Sequence, residues 1–291
     1  MSPLLPWLSR RSLRHLHALG AALGWLAYGL SPSYRQRLKE NARLAGVGSA
    51  DRRAAVADAG KLVAELPRLW LRPAERPIAD PVRWEGAELL EEMLARGKGL
   101  VLLTPHMGSF EVSAQAYAER FGRNQPITVL YRPARQAWLR ELEETARARP
   151  ALATAPANLS GVRLMMRALR RGETVGLLPD QVPPEGMGVW VPFFGQPAYT
   201  MTLAARLVQQ TGAAVAILWT ERLPKGAGYV VRAKPLPVPL PATADDEAAS
   251  AAAVNRSMEA VILEKPSQYL WAYHRYKNPR QAPAAAEGAA R

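Results

Sequence analysis

Hydrophobic residues recur in two alternating patterns along residues 50–278, and each change of pattern marks a new element. Apolar runs typical of buried strands occupy residues 99–104, 127–131, 174–178, 214–220 and 229–233. Apolar residues at helical spacing occupy residues 109–121, 136–149, 159–171, 200–210 and 248–263. Strands separated by helices predict an α/β fold with a central sheet flanked by helices.

The N-terminal region has a different pattern. No Lys, Arg, Asp or Glu occurs from His15 to Tyr34, and a stretch of about 20 such residues suits a helix that crosses a bilayer. Its leucines form one stripe at helical spacing, which suits a helix lying flat on a membrane. They are Leu16, Leu19, Leu23, Leu26 and Leu30. We predict a membrane-associated helix in either orientation; the alternative is an amphipathic helix buried in a soluble fold.

The flanks of this stretch favour contact with a membrane. Trp7, Trp25 and Tyr28 suit the headgroup region, and the excess of basic residues over 35–53 places the main body on the cytoplasmic side. The chain is thus predicted to comprise a membrane-anchoring region at 1–48, a main domain at 49–278 and a low-complexity, disordered tail at 279–291.

Charge narrows the class of partner. Lys and Arg number 38 against 25 Asp and Glu, giving a net charge of +13. An acidic partner is therefore expected: a nucleic acid, an anionic membrane surface or an acidic protein. The basic residues are spread along the chain and no nucleic-acid-binding motif occurs, so no nucleic acid partner is expected. A nonenzymatic basic binding protein remains the rival interpretation.

Few side chains are available for chemistry. Without cysteine the chain has no disulfide, thiolate nucleophile or Cys-ligated zinc. The four histidines, at 15, 17, 106 and 274, show no spacing typical of a metal site, so no metal is expected. Acid and base catalysis by ordinary side chains is the remaining option.

A histidine follows the first strong strand, in the segment Thr104-Pro105-His106-Met107-Gly108-Ser109-Phe110-Glu111. Strand ends are where α/β proteins build sites. A carboxylate bonded to one ring nitrogen leaves the other free to take a proton, so we interpret His106 and Glu111 as a base and its orienter. Because the chain lacks a cysteine and a Gly-x-Ser-x-Gly elbow, a substrate hydroxyl would attack an activated acyl or phosphoryl group. The spacing alone also fits a structural histidine.

The start of the next helix offers oxyanion donors. The backbone N–H groups of Gly108 and Ser109 lie beside His106, and unpaired donors at a helix start suit the oxyanion formed when an acyl group is attacked. We name both as oxyanion candidates. The alternative is that Gly108 only permits the turn.

Five sequence blocks, in matching order and spacing from about residue 10 to 278, resemble the lipid A late acyltransferases. This is the lauroyl/myristoyl acyltransferase family of Gram-negative bacteria, within the glycerolipid acyltransferase superfamily. The first block is the His-x4-Glu motif of His106 and Glu111. The others are Tyr131-Arg132-Pro133, Leu178-Pro179-Asp180-Gln181, Val191 to Gly195 with Ala198 and Thr200, and Gln268 to Trp271 leading into His274 to Lys277.

The resemblance implies transfer of a fatty acyl chain from acyl carrier protein to a hydroxyl of a membrane glycolipid, with a lipid A precursor as the favoured acceptor. It also implies a mixed central sheet, an acyltransferase domain at 49–278, and His106 with Glu111 as the catalytic pair. No bound cofactor is expected, and the implied location is the cytoplasmic face of the bacterial inner membrane. Another polar lipid, a phosphoinositol mannoside or a lysophospholipid, is the alternative acceptor.

Substrate-binding residues follow from the same resemblance. Arg147 best matches an arginine that matters for activity in the family, with Arg140 and Arg149 as alternatives. Asp180 matches an important aspartate, and Gln181 adjoins it; a helix cap or an internal ion pair is the other interpretation of Asp180. Arg132 and Arg147 are expected to contact phosphate through the bidentate hydrogen bonds of a guanidinium group.

Two further segments suit a lipid substrate. The Pro- and Gly-rich loop at 181–199 is apolar enough to wall an acyl chain or press into a bilayer, with ordinary core packing as the rival. The helix at 159–171 sets arginines beside an apolar side, which suits an acidic carrier protein or anionic lipid. A helix packed on the sheet with its charges in water explains that pattern equally.

Overall fold

The computed structural model describes residues 4–132, 136–243 and 246–280. Its helices are α1 (Leu4–Ser9), α2 (Leu13–Leu30), α3 (Pro32–Leu44), α4 (Ser49–Trp70), α5 (Ala87–Ala95), α6 (Phe110–Phe121), α7 (Ala137–Arg147), α8 (Leu159–Arg170), α9 (Leu203–Thr211) and α10 (Glu247–Glu264). Its strands are β1 (Val82–Glu85), β2 (Leu100–Leu103), β3 (Ile127–Tyr131), β4 (Leu152–Pro156), β5 (Thr174–Leu177), β6 (Gly188–Phe193), β7 (Gln196–Met201), β8 (Ala214–Arg222) and β9 (Tyr229–Pro235). From residue 281 on, the predicted disordered tail lies outside the described residues.

Seven strands form one mixed sheet in the order β1-β9-β8-β2-β5-β3-β4. Every neighbouring pair is parallel except β8 and β9, which are antiparallel. The predicted mixed α/β fold is confirmed, with all five predicted strands and all five predicted helices near their expected positions. The apolar pattern missed β1 and β4, which are the short edge strands of the sheet.

Residues 181–199, predicted to be a loop, mostly form a hairpin. Strands β6 and β7 pair antiparallel, with Phe193 opposite Gln196. The connecting residues Phe194 and Gly195 both have positive φ, 46° and 76°, as a tight hairpin turn requires. Glu259 of α10 accepts a hydrogen bond from the Phe194 N–H at 2.7 Å, so the hairpin is fixed to the core.

The sheet has an apolar layer on each face. On β2, Val101 and Leu103 belong to a cluster with α8, α9 and α10, whereas Leu100 and Leu102 belong to a cluster with α5 and α6. All four side chains are essentially buried, and each contributes about 1.5–3 kcal/mol of burial free energy. Both faces of the strands are therefore covered, so the carboxyl ends of the parallel strands are where a site can form.

Helices α2 and α4 cross with their backbones in contact. A Cβ atom placed on Gly60 would lie 1.9 Å from the carbonyl oxygen of Gly20, and one on Gly24 would lie 2.3 Å from that of Val56. The predicted leucine stripe divides: Leu16 is buried in this packing. The large apolar residues of α2 that are exposed are Leu19, Leu23, Trp25, Leu26 and Leu30.

The stretch without charges is not one long helix. Ser31 ends α2, and its side chain accepts a hydrogen bond from the Tyr34 N–H and so caps α3. Among the described helices, none combines the length and the apolarity needed to cross a bilayer.

A buried ionic cluster joins these helices to the sheet. Glu65 of α4 is fully buried and binds Arg222 of β8 through two hydrogen bonds of 2.7 and 3.0 Å. The His17 Nε2 lies 3.0 Å from Glu65, and Arg222 also donates to the carbonyl oxygen of Gly108 at 3.0 Å. Burial alone would raise the pKa of Glu65, but the Arg222 charge and the hydrogen bonds of His17 and Arg222 outweigh it and lower the pKa to about 2.

Candidate active site

The parallel register of β2 and β5 brings His106 and Asp180 together. Leu103 and Leu177 are partners across the two strands, and each side chain of the pair follows its strand end by the same number of residues. The His106 Nδ1 lies 2.7 Å from Asp180 Oδ1, and the His106 backbone N–H donates to Asp180 Oδ2 at 2.9 Å. One carboxylate thus fixes both the ring and the backbone of the histidine.

The electrostatics of this pair suit a base. Asp180 is fully buried, which opposes its ionisation, but the charge and hydrogen bonds of His106 outweigh burial and lower the pKa of Asp180. An ionised Asp180 requires Nδ1 to donate, so Nε2 is the acceptor nitrogen. The His106 side chain is 18% exposed, lines a cleft, and has no hydrogen bond at Nε2 from any described residue.

The C-terminal segment holds the loop that carries His106. Met107 pairs with Tyr269 in an antiparallel bridge, and the Leu270 N–H donates to the His106 carbonyl oxygen at 3.2 Å. Burial and the nearby Asp180 carboxylate raise the pKa of the Tyr269 hydroxyl well above its ordinary value. The sequence block at 268–271 therefore holds the loop that carries His106 in place.

The oxyanion prediction for Gly108 and Ser109 is wrong. The Gly108 N–H donates to the Gln268 carbonyl oxygen and the Ser109 N–H to that of Thr220, each at 2.9 Å. Neither donor is free for a substrate. Gly108 has φ +56°, and a Cβ there would lie 1.9 Å from the Thr220 carbonyl oxygen, so glycine is needed for the turn itself.

Glu111 is also not the orienter of His106. Its two carboxylate oxygens accept hydrogen bonds from Arg147 Nη2 at 2.6 Å and from Trp70 Nε1 at 3.2 Å. Asp180 occupies the imidazole nitrogen that was assigned to Glu111. Glu111 lies on the first turn of α6 and lines the same cleft as His106, so the structure brings both into one site but not into one hydrogen bond.

Of the three arginines considered near residue 147, Arg147 is the one that lines the cleft. Its guanidinium stacks over the Tyr131 ring at 4.6 Å. Burial lowers its pKa, but the carboxylates of Glu111 and Glu143 outweigh burial and the net shift is upward. Arg149 is buried and donates to backbone carbonyls at the end of α4, and Arg140 is exposed.

The cleft has a volume of about 530 Å³ and opens at the carboxyl ends of β2, β3 and β5. Arg132 and Gln181, both predicted to bind substrate, lie in its wall with His106, Glu111 and Arg147. Most of the remaining wall is apolar, including Leu62, Leu66, Val129, Leu130, Leu178 and Met187. Val182, Pro183 and Pro184 show that the segment after Asp180 does line the cleft, whereas Phe193 of the hairpin is core.

The described residues contain no group of His, Asp or Glu side chains that would hold a metal ion. An oriented histidine with one open nitrogen, set beside arginines in a largely apolar cleft of a mixed α/β fold, suits acid and base catalysis on an apolar substrate. The family described as bacterial lipid A biosynthesis acyltransferase matches residues 8–278, and the chain belongs to it.

Known members of the family resemble the chain over most of its length. It is 27% identical to the lipid A biosynthesis lauroyltransferase of Escherichia coli (strain K12), over 90% of this chain and 85% of that protein. It is 26% identical to the lipid A biosynthesis myristoyltransferase of the same organism, over 86% of this chain and 77% of that protein. The palmitoleoyltransferase of that organism is also 26% identical, over 75% and 68%.

Sequence reasoning missed residues of this site and of the buried ionic cluster next to Gly108. Trp70 and the Glu65 to Arg222 cluster carry no local signal, because their partners lie 41 and 157 residues away in the chain. The sequence of α6 does show polar residues among its apolar ones, and one of them is Gln115, a buried glutamine in the cleft wall.

Proposed function

We propose that this protein transfers a fatty acyl chain from the thioester of acyl carrier protein to a hydroxyl of a lipid A precursor. The observation that carries the proposal is the His106 and Asp180 pair, with its open nitrogen in an apolar cleft large enough for an acyl chain. Membership of the lipid A acyltransferase family supports the choice of acceptor.

The reaction needs one proton to move twice. The His106 Nε2 takes the proton of the acceptor hydroxyl as its oxygen attacks the thioester carbonyl carbon. The new ester C–O bond forms, the C–S bond breaks, and the imidazolium returns the proton to the leaving thiolate. Asp180, held ionised, stabilises the imidazolium between the two transfers.

The Glu111 and Arg147 pair has a positioning role in this proposal. The hydrogen bond of 2.6 Å between them holds the guanidinium in the cleft wall, where its Nη1 donates no hydrogen bond to a described residue and lies 3.9 Å from Glu143 Oε2. Arg132, exposed at the end of β3, lies in the same wall. Two guanidinium groups at one mouth suit a phosphorylated glycolipid or the phosphate of a carrier-protein arm.

The exposed face of α2 is the proposed membrane contact. Leu19, Leu23, Leu26 and Leu30 leave a continuous apolar stripe uncovered by the described residues, beside the arginines that precede α2. An apolar stripe flanked by basic residues binds the interface of an anionic bilayer. We place the protein on the cytoplasmic face of the bacterial inner membrane, where such lipids and acyl carrier protein meet.

Helix α8 is the proposed approach for the acidic carrier protein. Its N-cap Asn158 and its first-turn residue Val162 lie in the cleft wall. Further along the helix, Arg163, Arg167 and Arg170 are exposed. None of these three forms an ion pair with a described residue, so their charge is available to steer an acidic partner.

Mass spectrometry tests the reaction. Purified protein is incubated with dodecanoyl acyl carrier protein and a lipid A precursor, and we expect one added dodecanoyl mass on the glycolipid. His106→Ala should abolish the product, whereas His274→Ala, at an exposed histidine outside the cleft, should keep it. Undiminished product with His106→Ala would refute the assigned base. Acylation of a lysophospholipid but not of the lipid A precursor would refute the acceptor.

Vesicle sedimentation tests the membrane contact. Leu23→Glu with Leu26→Glu should release the protein from vesicles of phosphatidylethanolamine and phosphatidylglycerol, because two charges would enter the apolar stripe. The matched control is Leu263→Glu, at a similarly exposed leucine on α10. Equal pelleting of the double variant and the control would show that α2 is not the contact.

A further inference from the structure

Helix α6 carries one buried polar side chain that no described residue pairs with. Gln115 is 2% exposed, and neither its Oε1 nor its Nε2 has a hydrogen-bond partner among the described residues. The neighbouring polar residues of α6 are satisfied: the Ser113 hydroxyl pairs with Thr220 at 2.8 Å, and the Tyr117 hydroxyl with Thr174 at 2.7 Å. Gln115 is therefore an exception on its own helix.

Gln115 lies in the wall of the cleft, on the same side of α6 as Glu111. One helical turn separates them, so Gln115 lies about 6 Å further along the helix axis, away from the helix start at Phe110. Elements that pack on α6 contribute Leu66, Val129 and Leu152 to the same wall. A polar amide thus stands in an otherwise apolar part of the cleft.

A buried amide without partners costs free energy that a leucine or methionine at the same place would not. A bound ligand that brings a donor and an acceptor to this depth removes the cost. We infer that Gln115 is a binding residue for a hydroxyl group carried on an aliphatic chain that enters the cleft. The inference rests on the proposed function for the lipid character of that chain.

The shape of the groups favours a hydroxyl over an amide in the ligand. A trans secondary amide presents its N–H and C=O on opposite sides, so it can satisfy only one atom of Gln115. A hydroxyl donates and accepts at one oxygen and adds little volume to a chain. The same chemistry can arrive on the acyl donor or on a chain of the acceptor lipid.

Equilibrium binding tests the inference without turnover. Dodecanoic acid and four isomeric hydroxydodecanoic acids, with the hydroxyl at carbon 3, 6, 9 or 12, are titrated calorimetrically into wild type, Gln115→Met and Gln36→Met. Gln36 is an exposed glutamine on α3 and serves as the matched control. For each protein we take the affinity of a hydroxydodecanoic acid divided by the affinity of dodecanoic acid. For at least one isomer, we expect this ratio to be about tenfold to hundredfold higher in wild type and the control than in Gln115→Met.

Stability and competition complete the test. Gln115→Met should keep or raise the melting temperature, because it replaces an unpaired polar group by an apolar one. In the mass-spectrometric assay, the preferred isomer should raise the KM for the donor if the hydroxyl belongs to the acyl donor, or the KM for the acceptor if it belongs to the glycolipid.

Two results would overturn the inference: an unchanged preference among the isomers in Gln115→Met, or a marked fall in its melting temperature, which would assign the amide a structural partner. Absence of acyl transfer by wild type would instead refute the proposed function, and the binding titration would still stand as a separate result.

Discussion

Among the described residues, two histidine and carboxylate pairs lie inside the molecule, and their surroundings differ. In the first, His106 and Asp180 are 2.7 Å apart, and in the second, His17 and Glu65 are 3.0 Å apart. Both carboxylates are fully buried. In the second pair, Glu65 also binds Arg222, and His17 is itself buried. In the first pair, no lysine or arginine of the described residues forms an ion pair with Asp180, and His106 reaches the cleft.

The comparison teaches what turns such a pair into a catalyst. A carboxylate already neutralised by a guanidinium has little further gain from an imidazolium, so the second pair serves packing. A carboxylate that is hydrogen-bonded to a histidine and not paired with a guanidinium stabilises the charge that appears when the ring takes a proton. Access to a cavity then supplies the substrate whose proton is taken.

The largest expected effect separates the two histidines. His106→Gln should lower kcat/KM about 10²- to 10⁴-fold, since it removes the base, with little change in melting temperature. His17→Gln should leave kcat/KM close to wild type and lower the melting temperature instead. Steady-state kinetics and thermal unfolding of both variants make the measurement. A large activity loss in His17→Gln alone would reverse the assignment.

The next largest effect is expected when the buried ionic cluster loses the charge of Glu65. Glu65→Gln should cost about 3–5 kcal/mol in the free energy of unfolding, because Arg222 stays buried with one charge partner removed. Urea unfolding gives the value. Glu264→Gln, which breaks the exposed pair with Lys234, is the control and should cost about 0–1 kcal/mol. Equal costs for the two variants would contradict the role given to Glu65.

Exchange of the orienting carboxylate should have a smaller effect than loss of the base. Asp180→Asn should lower kcat about 10²-fold, because an amide does not stabilise the imidazolium. Glu111→Gln should act mainly on KM, through Arg147. Comparison of kcat and KM for the two variants decides between them; a loss of kcat confined to Glu111→Gln would restore Glu111 as the orienter.

The smallest effect is one of pH. The pKa of Glu65 is lowered from 4.5 to about 2, so its contribution to stability is complete above pH 4.5 and is lost as the pH falls toward about 2. The unfolding free energy of wild type should decrease over that range, and that of Glu65→Gln should decrease less. Urea unfolding across the range checks this, and parallel curves for both proteins would count against it.

Local patterns in the sequence were enough for the elements of the sheet that are buried on both faces. Strand β2 reads as an uninterrupted apolar run because both of its faces are covered. The edge strand β4 (LATAP) has small residues at most positions and two neighbouring exposed ones, so its sequence lacks that signal. The sequence of the β6 and β7 hairpin predicts a loop, because Pro and Gly interrupt the apolar pattern of its strands.

The site was predictable only where its residues are close in sequence or belong to the resembling blocks. His106, Glu111, Arg132, Arg147 and Gln181 all line one cleft. Nearness in the chain favours Glu111 as the carboxylate partner of His106. The actual partner is Asp180, 74 residues away, which the register of the parallel strands brings next to His106. The N–H groups of Gly108 and Ser109 are likewise occupied by carbonyls of residues 268 and 220, which no local pattern reveals.

The matched strand ends of β2 and β5 also decide where length variation is tolerated. A residue added between Leu177 and Asp180 would carry the acid past its imidazole while leaving every paired strand intact. The surface connection between β8 and β9 makes no such demand on distance from the reacting groups. Insertions and deletions should therefore be tolerated best far from the two short segments that link β2 to His106 and β5 to Asp180. A change of length in either segment should abolish activity without unfolding the protein.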